Sequence, residues 1–187
     1  VKNGDQQDAK AVNEFESVRL LKQIKAFNEG IDPTFGELSD RKTFLFPGAA
    51  ADPSCRNKKS LKNRILKKKE AGARFIQTQM VMEEKNLIEF CETIANPLEI
   101  PVIAGVFLLK SYKNALFINK YVPGANIPEH ILSRLKNAKE PLQEGVKIAA
   151  EQARAFFHIA NGIHLMAVKA EDLIPEILER ANLNLEY

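Results

Sequence analysis

The chain has 187 residues, 45% of them hydrophobic, and a formal net charge of +3. That length and apolar content suit one domain with a sizeable core, and so small a charge gives no argument for a nucleic-acid or membrane partner. No apolar run approaches the roughly 20 residues of a membrane span, no signal peptide opens the sequence, and Cys55 and Cys91 have no metal or redox spacing, so the expected setting is reducing and cytoplasmic, without a metal.

The opening Val1-Lys2-Asn3-Gly4-Asp5 lacks an initiator Met and reads as the interior of something longer. Phe15, Val18, Leu21 and Ile24 recur at helical spacing, which predicts a helix over 14–29 that closes at Gly30. Pro33 and Gly36 mark a loop. Residues 43–51 read as a strand, with Pro47 arguing for a bend or an early end. Small residues follow, where a backbone can approach a ligand closely, and Asp52-Pro53-Ser54 reads as a turn.

Residues 60–71 predict a helix with Leu61, Ile65 and Leu66 as its apolar stripe. Arg56, Lys58, Lys59, Lys62, Arg64, Lys67, Lys68 and Lys69 crowd this stretch without an acid between them. Such a run is either a solvated face or local charge for phosphates. No aromatic residues interleave with it, which argues against a nucleic-acid track.

A strand follows over 74–81, then a helix over 83–95, an apolar strand over 101–107 and a helix that ends near Tyr121. Val122-Pro123-Gly124 breaks the chain, and Pro128 starts a short helix. A long amphipathic helix covers 140–160, Asn161-Gly162 turns into a last strand over 163–168, and a helix closes over 173–181. His130, His158 and His164 are scattered, and two of them lie in or beside apolar patterns, where a histidine is usually structural. The order is a helix followed by four strand–helix units. Short connections between alternating elements imply parallel strands with right-handed crossovers. Four units are half of an eightfold barrel, or an open doubly wound sheet. No Gly-x-Gly-x-x-Gly fingerprint and no phosphate loop is present.

The most informative stretch is Ala71-Gly72-Ala73-Arg74-Phe75-Ile76-Gln77-Thr78-Gln79. It reads as a buried parallel strand whose carboxyl end turns polar, and ligands sit at such ends. Alternation puts Gln77 and Gln79 on one face and Thr78 on the other. A neutral amide donates and accepts at once, which suits a heterocycle with both kinds of edge, or merely neighbouring backbone.

Phe46-Pro47-Gly48-Ala49-Ala50-Ala51-Asp52-Pro53 and Leu66-Lys67-Lys68-Lys69-Glu70-Ala71-Gly72-Ala73-Arg74-Phe75-Ile76-Gln77-Thr78-Gln79 together resemble methylenetetrahydrofolate reductase. So do Pro101-Val102-Ile103-Ala104-Gly105-Val106, Val122-Pro123-Gly124 with Ile127-Pro128, and Asn161-Gly162-Ile163-His164-Leu165-Met166-Ala167. Phe15-Glu16-Ser17-Val18-Arg19-Leu20-Leu21 is similar to the helix after the family's fourth strand. The similarity runs in order along nearly the whole chain.

The resemblance implies an α/β fold, the second half of a (β/α)8 TIM barrel, with strands five to eight and the helix before them. All 187 residues then form one partial barrel domain without its N-terminal half. It implies FAD as cofactor and reduction of 5,10-methylenetetrahydrofolate to 5-methyltetrahydrofolate, in one-carbon and methionine metabolism. Electrons would come from NAD(P)H or a protein partner, and the full-length protein would be an oligomer. Carried over position by position, Gln79 matches the glutamine that bonds the pterin, Tyr112 an aromatic that stacks on the folate, and Lys169 a basic position near substrate. Arg64, Lys67 and Lys68 match helix positions beside the flavin, and Phe15 and Glu16 match a segment that lines it. Ala51 stands where many members have a tyrosine against the flavin. The catalytic glutamate of the family lies on its first strand, so the chain is expected to hold no catalytic residue and to be inactive alone. Gly4-Asp5 aligns with a loop, not with the family's catalytic aspartate. The alternative expectation is a non-catalytic half-barrel subunit that pairs with a partner reductase chain.

Overall fold

The computed structural model describes residues 16–32, 36–37 and 42–183. Helix α1 spans Ser17–Glu29 and is followed by a small antiparallel ribbon, β1 (Ile31–Asp32) and β2 (Gly36–Glu37). The expected loop at Gly36 is therefore partly paired. Four strands then form the central sheet: β3 (Gly48–Ala51), β4 (Phe75–Met80), β5 (Val102–Phe107) and β6 (Gly162–Met166). They lie in sequence order and every pair is parallel, as the alternation of elements predicts.

Helix α2 (Lys58–Glu70) joins β3 to β4, and α3 (Glu84–Phe90) with a π-helical turn over Cys91–Ala95 joins β4 to β5. Three helices fill the next crossover: α4 (Tyr112–Tyr121), α5 (Glu129–Asn137) and α6 (Pro141–Phe157). A 3-10 turn over Glu171–Leu173 leads into α7 (Ile174–Ala181). The first sheet strand is shorter than the expected 43–51 and begins only after Pro47. Proline has no N–H to give a ladder, and the Pro47 carbonyl instead accepts from Arg74 N at 2.8 Å.

The sheet has two unlike faces. Along β4, Ile76, Thr78 and Met80 are buried, while Phe75, Gln77 and Gln79 between them are only half-buried. The buried face, with Val102, Ala104 and Val106 of β5, packs into one core with Leu61 and Ile65 of α2, Leu87 and Phe90 of α3, and Val146 and Phe156 of α6. Side chains of this size, fully removed from water, each stabilise the fold by about 1.5–3 kcal/mol. A second core under α4 and α5 joins Met80 and Leu109 to Ile118, Ile131 and Leu135. Arg134 of α5 holds that layer to α6: its guanidinium donates to Glu144 at 2.7 Å and to both oxygens of Glu151 at 2.6 and 3.2 Å.

Two close approaches fix the geometry at the carboxyl ends. Helix α6 meets the backbone beyond β5 at Gly145, where a Cβ would stand 1.9 Å from the Leu109 carbonyl oxygen. Strand β4 carries a bulge: Gln77 pairs with Ile103, but Met80 pairs with Gly105, so β4 has one residue more than its neighbour there. Thr78, the buried polar side chain of this core, fills the break. Its hydroxyl accepts from Gly105 N at 2.9 Å and donates to the Gln79 carbonyl at 2.7 Å. Val81 N then bonds the Gly105 carbonyl at 2.9 Å and resumes the ladder. A Cβ on residue 105 would stand 3.0 Å from both the Thr78 and Gln79 carbonyl oxygens.

Gly145→Ala lowers stability by about 1–3 kcal/mol through overpacking, although alanine gains up to about 1 kcal/mol over glycine in helix propensity. A urea melt of the variant measures the sign, and a stabilised protein would contradict the contact. Thr78→Val leaves the buried Gly105 N–H without a partner and costs about 1–3 kcal/mol in the same assay, whereas Thr78→Ser retains most of the wild-type stability.

Candidate functional site

The carboxyl ends of β3 and β4 and the inner side of α2 enclose an open cleft of about 660 Å³. Its walls are the small residues 49–51, then Asp52, with Arg64 and Lys68 on the helix side and Gln77 and Gln79 on the sheet side. Phe75 closes the floor. A Cβ on Gly48 would fall 2.3 Å from its ring, so only glycine lets the ring lie there. Phe46 stacks on Phe75 from below, with ring centroids 5.7 Å apart.

A second recess of about 740 Å³ opens at the amino ends, around Phe44, Phe46 and Arg74. One polar cluster in it is committed internally: Asn28 accepts from Leu45 N and Thr43 Oγ1 and donates to the Leu45 carbonyl, at 2.9, 2.6 and 2.8 Å. Convergent polar groups with free capacity mark a ligand site better than volume does. The carboxyl-end cleft gathers two amides and two cations around adjacent strand ends, and that convergence singles it out.

The basic run divides by role. Lys62 and Lys69 reach carbonyls of the next crossover, those of Thr93 and Leu98. Lys58 donates to the Pro53 carbonyl at 2.8 Å and pairs with Glu89 at 3.0 Å. These cations anchor α2 to its neighbours. Lys68 instead turns into the cleft and donates to the Ala50 carbonyl at 2.7 Å. Burial, and then repulsion from Arg64, holds its ammonium below the usual lysine range. Arg64 rests one guanidinium nitrogen 3.4 Å from Cys55 Sγ. Two cations side by side, one of them partly desolvated, make this end of the cleft a seat for an anion.

The sheet side of the cleft is polar. Gln79 accepts from Met80 N at 2.9 Å and donates to the Pro123 carbonyl at 3.3 Å. Pro123 belongs to the α4–α5 loop, which thus crosses the sheet rim to reach β4. Asn119 braces that loop, giving its amide N–H to the Ile127 carbonyl at 3.0 Å and accepting from Ile127 N at 2.7 Å. Gln77 meets His164 Nδ1 of β6 at 2.7 Å, so one amide spans the half-buried face of the sheet.

Of the residues named from sequence, Ala51, Arg64, Lys68 and Gln79 share the cleft. Lys67 faces a separate shallow depression with Asn57 and Asn63. Tyr112 opens α4 just beyond the carboxyl end of β5, half-buried against the second core, with Lys136 Nζ 5.8 Å from its ring centre. Lys169 is exposed just beyond β6, at a backbone φ of 56°, and its N–H bonds Glu171 Oε1 at 3.0 Å. Because the strands are parallel, Gln79, Tyr112 and Lys169 stand on one rim. Glu16 is exposed at the N-terminal end of α1, while the other end of that helix is tied by Asn28 to residue 45 below β3. Phe15 lies outside the described residues. Among those residues no group of three or more His, Cys, Asp or Glu side chains could hold a metal ion, and no helix is long and apolar enough to cross a membrane.

Sequence reasoning missed Asp52, His164 and the loop at Pro123 and Gly124. Asp52 reads as a turn residue, yet it is the first charged side chain past a strand end. His164 reads as structural, although its parity along β6 matches that of Met166 in the cleft wall. Pro123 and Gly124 read as a helix break, and no local signal shows that the loop reaches β4.

Comparison with known proteins bears on the fold and the family. A family model described as methylenetetrahydrofolate reductase matches residues 1–182. Methylenetetrahydrofolate reductase 2 of Saccharomyces cerevisiae is 29% identical over 150 residues, 73% of this chain and 25% of that protein. The chain thus spans about a quarter of the length of this curated relative. An uncharacterized protein from Clostridium thermocellum, whose structure binds two copies of 5-methyl-5,6,7,8-tetrahydrofolic acid, shares the fold at a TM-score of 0.57. Its identity is 19%, over 77% of this chain and 55% of that one. A match that runs through all four sheet strands and their rim decides membership: the chain belongs to the methylenetetrahydrofolate reductase family.

Proposed function

We propose that this chain is the folate- and flavin-holding side of a methylenetetrahydrofolate reductase barrel, supplying strands five to eight of a (β/α)8 cylinder. The observation that carries the reading is the cleft itself, with an amide of dual hydrogen-bonding capacity at one end and paired cations at the other. The amide suits the heterocycle of a folate, and the cations suit the diphosphate of a flavin nucleotide. The residues present fit FAD: Arg64 and Lys68 supply positive charge for its diphosphate, and the small side chains of 49–51 leave its ring room between β3 and α2. What the bound cofactor supplies is hydride transfer to the methylene carbon of 5,10-methylenetetrahydrofolate, giving 5-methyltetrahydrofolate.

The chain's own residues bind and orient. Gln79 exchanges its long bond to Pro123 for the pterin edge, Tyr112 offers an aromatic face on the same rim, and Lys169 brings charge to the outer part of the folate. Glu16 extends the cofactor wall from the N-terminal end of α1, and Lys67 adds charge outside the cleft. The electron donor is NAD(P)H or a protein partner, and the active assembly is a cytoplasmic oligomer. The proton donor comes from the other half of the barrel, so these residues position substrate without completing catalysis.

A second reading, a non-catalytic half-barrel that pairs with another reductase chain, draws on the open edges of the sheet. Among the described residues, β3 and β6 each pair on one side only. Unpaired edges invite a further strand, and Phe44, beside β3, is 97% exposed. Turnover of 5-methyltetrahydrofolate with an artificial electron acceptor, raised by pairing with a complete reductase chain and not by the first half of a barrel, would favour this reading.

Gln79→Leu weakens binding of 5-methyltetrahydrofolate by about ten- to a hundredfold while FAD affinity stays within about threefold. Unchanged folate affinity would remove the amide from the site. Lys68→Ala weakens FAD by about tenfold and spares folate. In the wild type, FAD affinity falls as pH rises through the lowered Lys68 range, because the neutral amine no longer attracts the diphosphate, and Lys68→Arg flattens that fall. Titration calorimetry across pH measures each effect.

A further inference from the structure

We infer that the outer face of α4 docks an acidic amphipathic helix of another protein, whose apolar anchors seat on Leu116, Phe117 and Tyr121. The inference stands apart from the folate reading, because none of these residues lines the cleft.

Helix α4 already has a core face. Ala115 and Ile118 are buried in the second core with Met80 and Leu109. A surface helix ordinarily turns polar groups outward from such a face. Here the outward stripe is Lys113, Leu116, Phe117, Lys120 and Tyr121, neighbours on one side of the helix at three- and four-residue spacing. Phe117 and Tyr121 are each 58% exposed and Leu116 is 42% exposed. The two rings meet with centroids 4.7 Å apart, and Lys120 Nζ stands 5.1 Å from the Tyr121 ring centre. Exposed aromatic side chains that already lean on each other leave a partner little to order on binding.

The helix lies along the carboxyl rim. Ser111, just beyond β5, caps its start by accepting from Asn114 N at 3.1 Å. Past its end, the Pro123 carbonyl accepts from the Gln79 amide of β4 at 3.3 Å. Both ends are tied to the inner strands of the sheet, and α6 makes the return crossover. The open edges belong to β3 and β6, so strand pairing there does not account for an apolar stripe on α4.

Charge selects the occupant. Residues 100–128 contain Lys110, Lys113 and Lys120 and no acid. Lys110 donates to the Val168 carbonyl at 2.8 Å. Lys113 and Lys120 have no ion-pair partner among the described residues, unlike Lys58, Arg134 and Arg180. Carboxylates flanking an apolar anchor match both. A second copy is a poor match, since a twofold pairing of α4 sets lysine against lysine. A membrane is a poor match too: lipid-binding clusters gather about four to eight basic residues, and this stripe has only Lys113 and Lys120. A helix fits the dimensions, because the stripe is about 12 Å long, roughly two turns, and its ridges interlock with those of a partner helix. So small a contact is a transient one.

Two labelled peptides of about 15 residues test this on the full 187-residue chain. One is an amphipathic helix with a leucine stripe flanked by glutamates, and its twin carries lysine at every glutamate. Fluorescence anisotropy is read on the wild type, on Phe117→Ala with Tyr121→Ala, and on Lys113→Glu with Lys120→Glu, with circular dichroism as the check on folding. The wild type is expected to bind the acidic peptide about tenfold or more tighter than the twin. Loss of the two rings weakens that binding about tenfold, and reversal of the two lysines inverts the preference. The lysine variant keeps the rings, so it decides the matter if the aromatic variant unfolds. Binding of neither peptide, equal binding of both, or a preference that survives the lysine reversal overturns the inference. A wild-type dimer in sedimentation velocity that the aromatic variant dissolves gives the face to a second copy and overturns it. Capture on phosphatidylserine vesicles that the lysine variant abolishes gives the face to a membrane and overturns it as well.

Discussion

One hydrogen bond, from the Gly105 N–H to the Thr78 hydroxyl, sets the geometry of the whole cleft. A parallel ladder that gains a residue on one strand leaves a backbone donor without its regular acceptor, and in a dry core that donor must be satisfied. Thr78 satisfies it from within the bulge, so β4 can bend at its carboxyl end without losing the pairing on either side. The bend sets where Gln79 stands. The absence of a side chain at Gly105 lets the Thr78 and Gln79 carbonyls pass, and the absence of one at Gly145 lets α6 press on the backbone beyond β5. The rim is rigid because its backbone has little room to move.

That rigid rim separates unlike chemistries. Most of the basic residues around α2 serve backbone carbonyls of adjacent segments, and a near-neutral chain does not advertise an anion site. Lys68 differs because its ammonium is partly desolvated and shares its surroundings with Arg64, so it gains more from an incoming anion than an exposed lysine would. Asp52 and Gln79 lie beneath the Pro123–Gly124 loop. Cations from α2 and amides from β4 thus line one cleft.

Much of this was legible in the residues. Alternating strand and helix patterns determined the parallel sheet, because short connections leave a chain few other options. The switch from Ile76 to Gln77 and Gln79 marked the strand end that carries the site. The bulge was not legible, since Thr78 in an apolar strand looks like an ordinary β-former and only its cross-strand register shows the extra residue. The shortened β3 was half-legible through Pro47. Asp52 and Gly124 meet only because a loop more than 70 positions later in the chain folds back over β3, and no local pattern encodes so distant a contact. Family resemblance supplied the roles proposed for Gln79 and Lys68, which periodicity alone left open between ligand and backbone.

The central claim is that the carboxyl rim, centred on the Gln79 amide, is where the ligand sits. The most direct measurement is the set of side-chain amide resonances in a 15N–1H spectrum as 5-methyltetrahydrofolate is added. The account predicts that the Gln79 amide shifts strongly at saturation while the Asn28 amide, bonded to residue 45 at the opposite pole, stays in place. A spectrum in which Asn28 moves and Gln79 does not would put the ligand at the amino-end recess and contradict it.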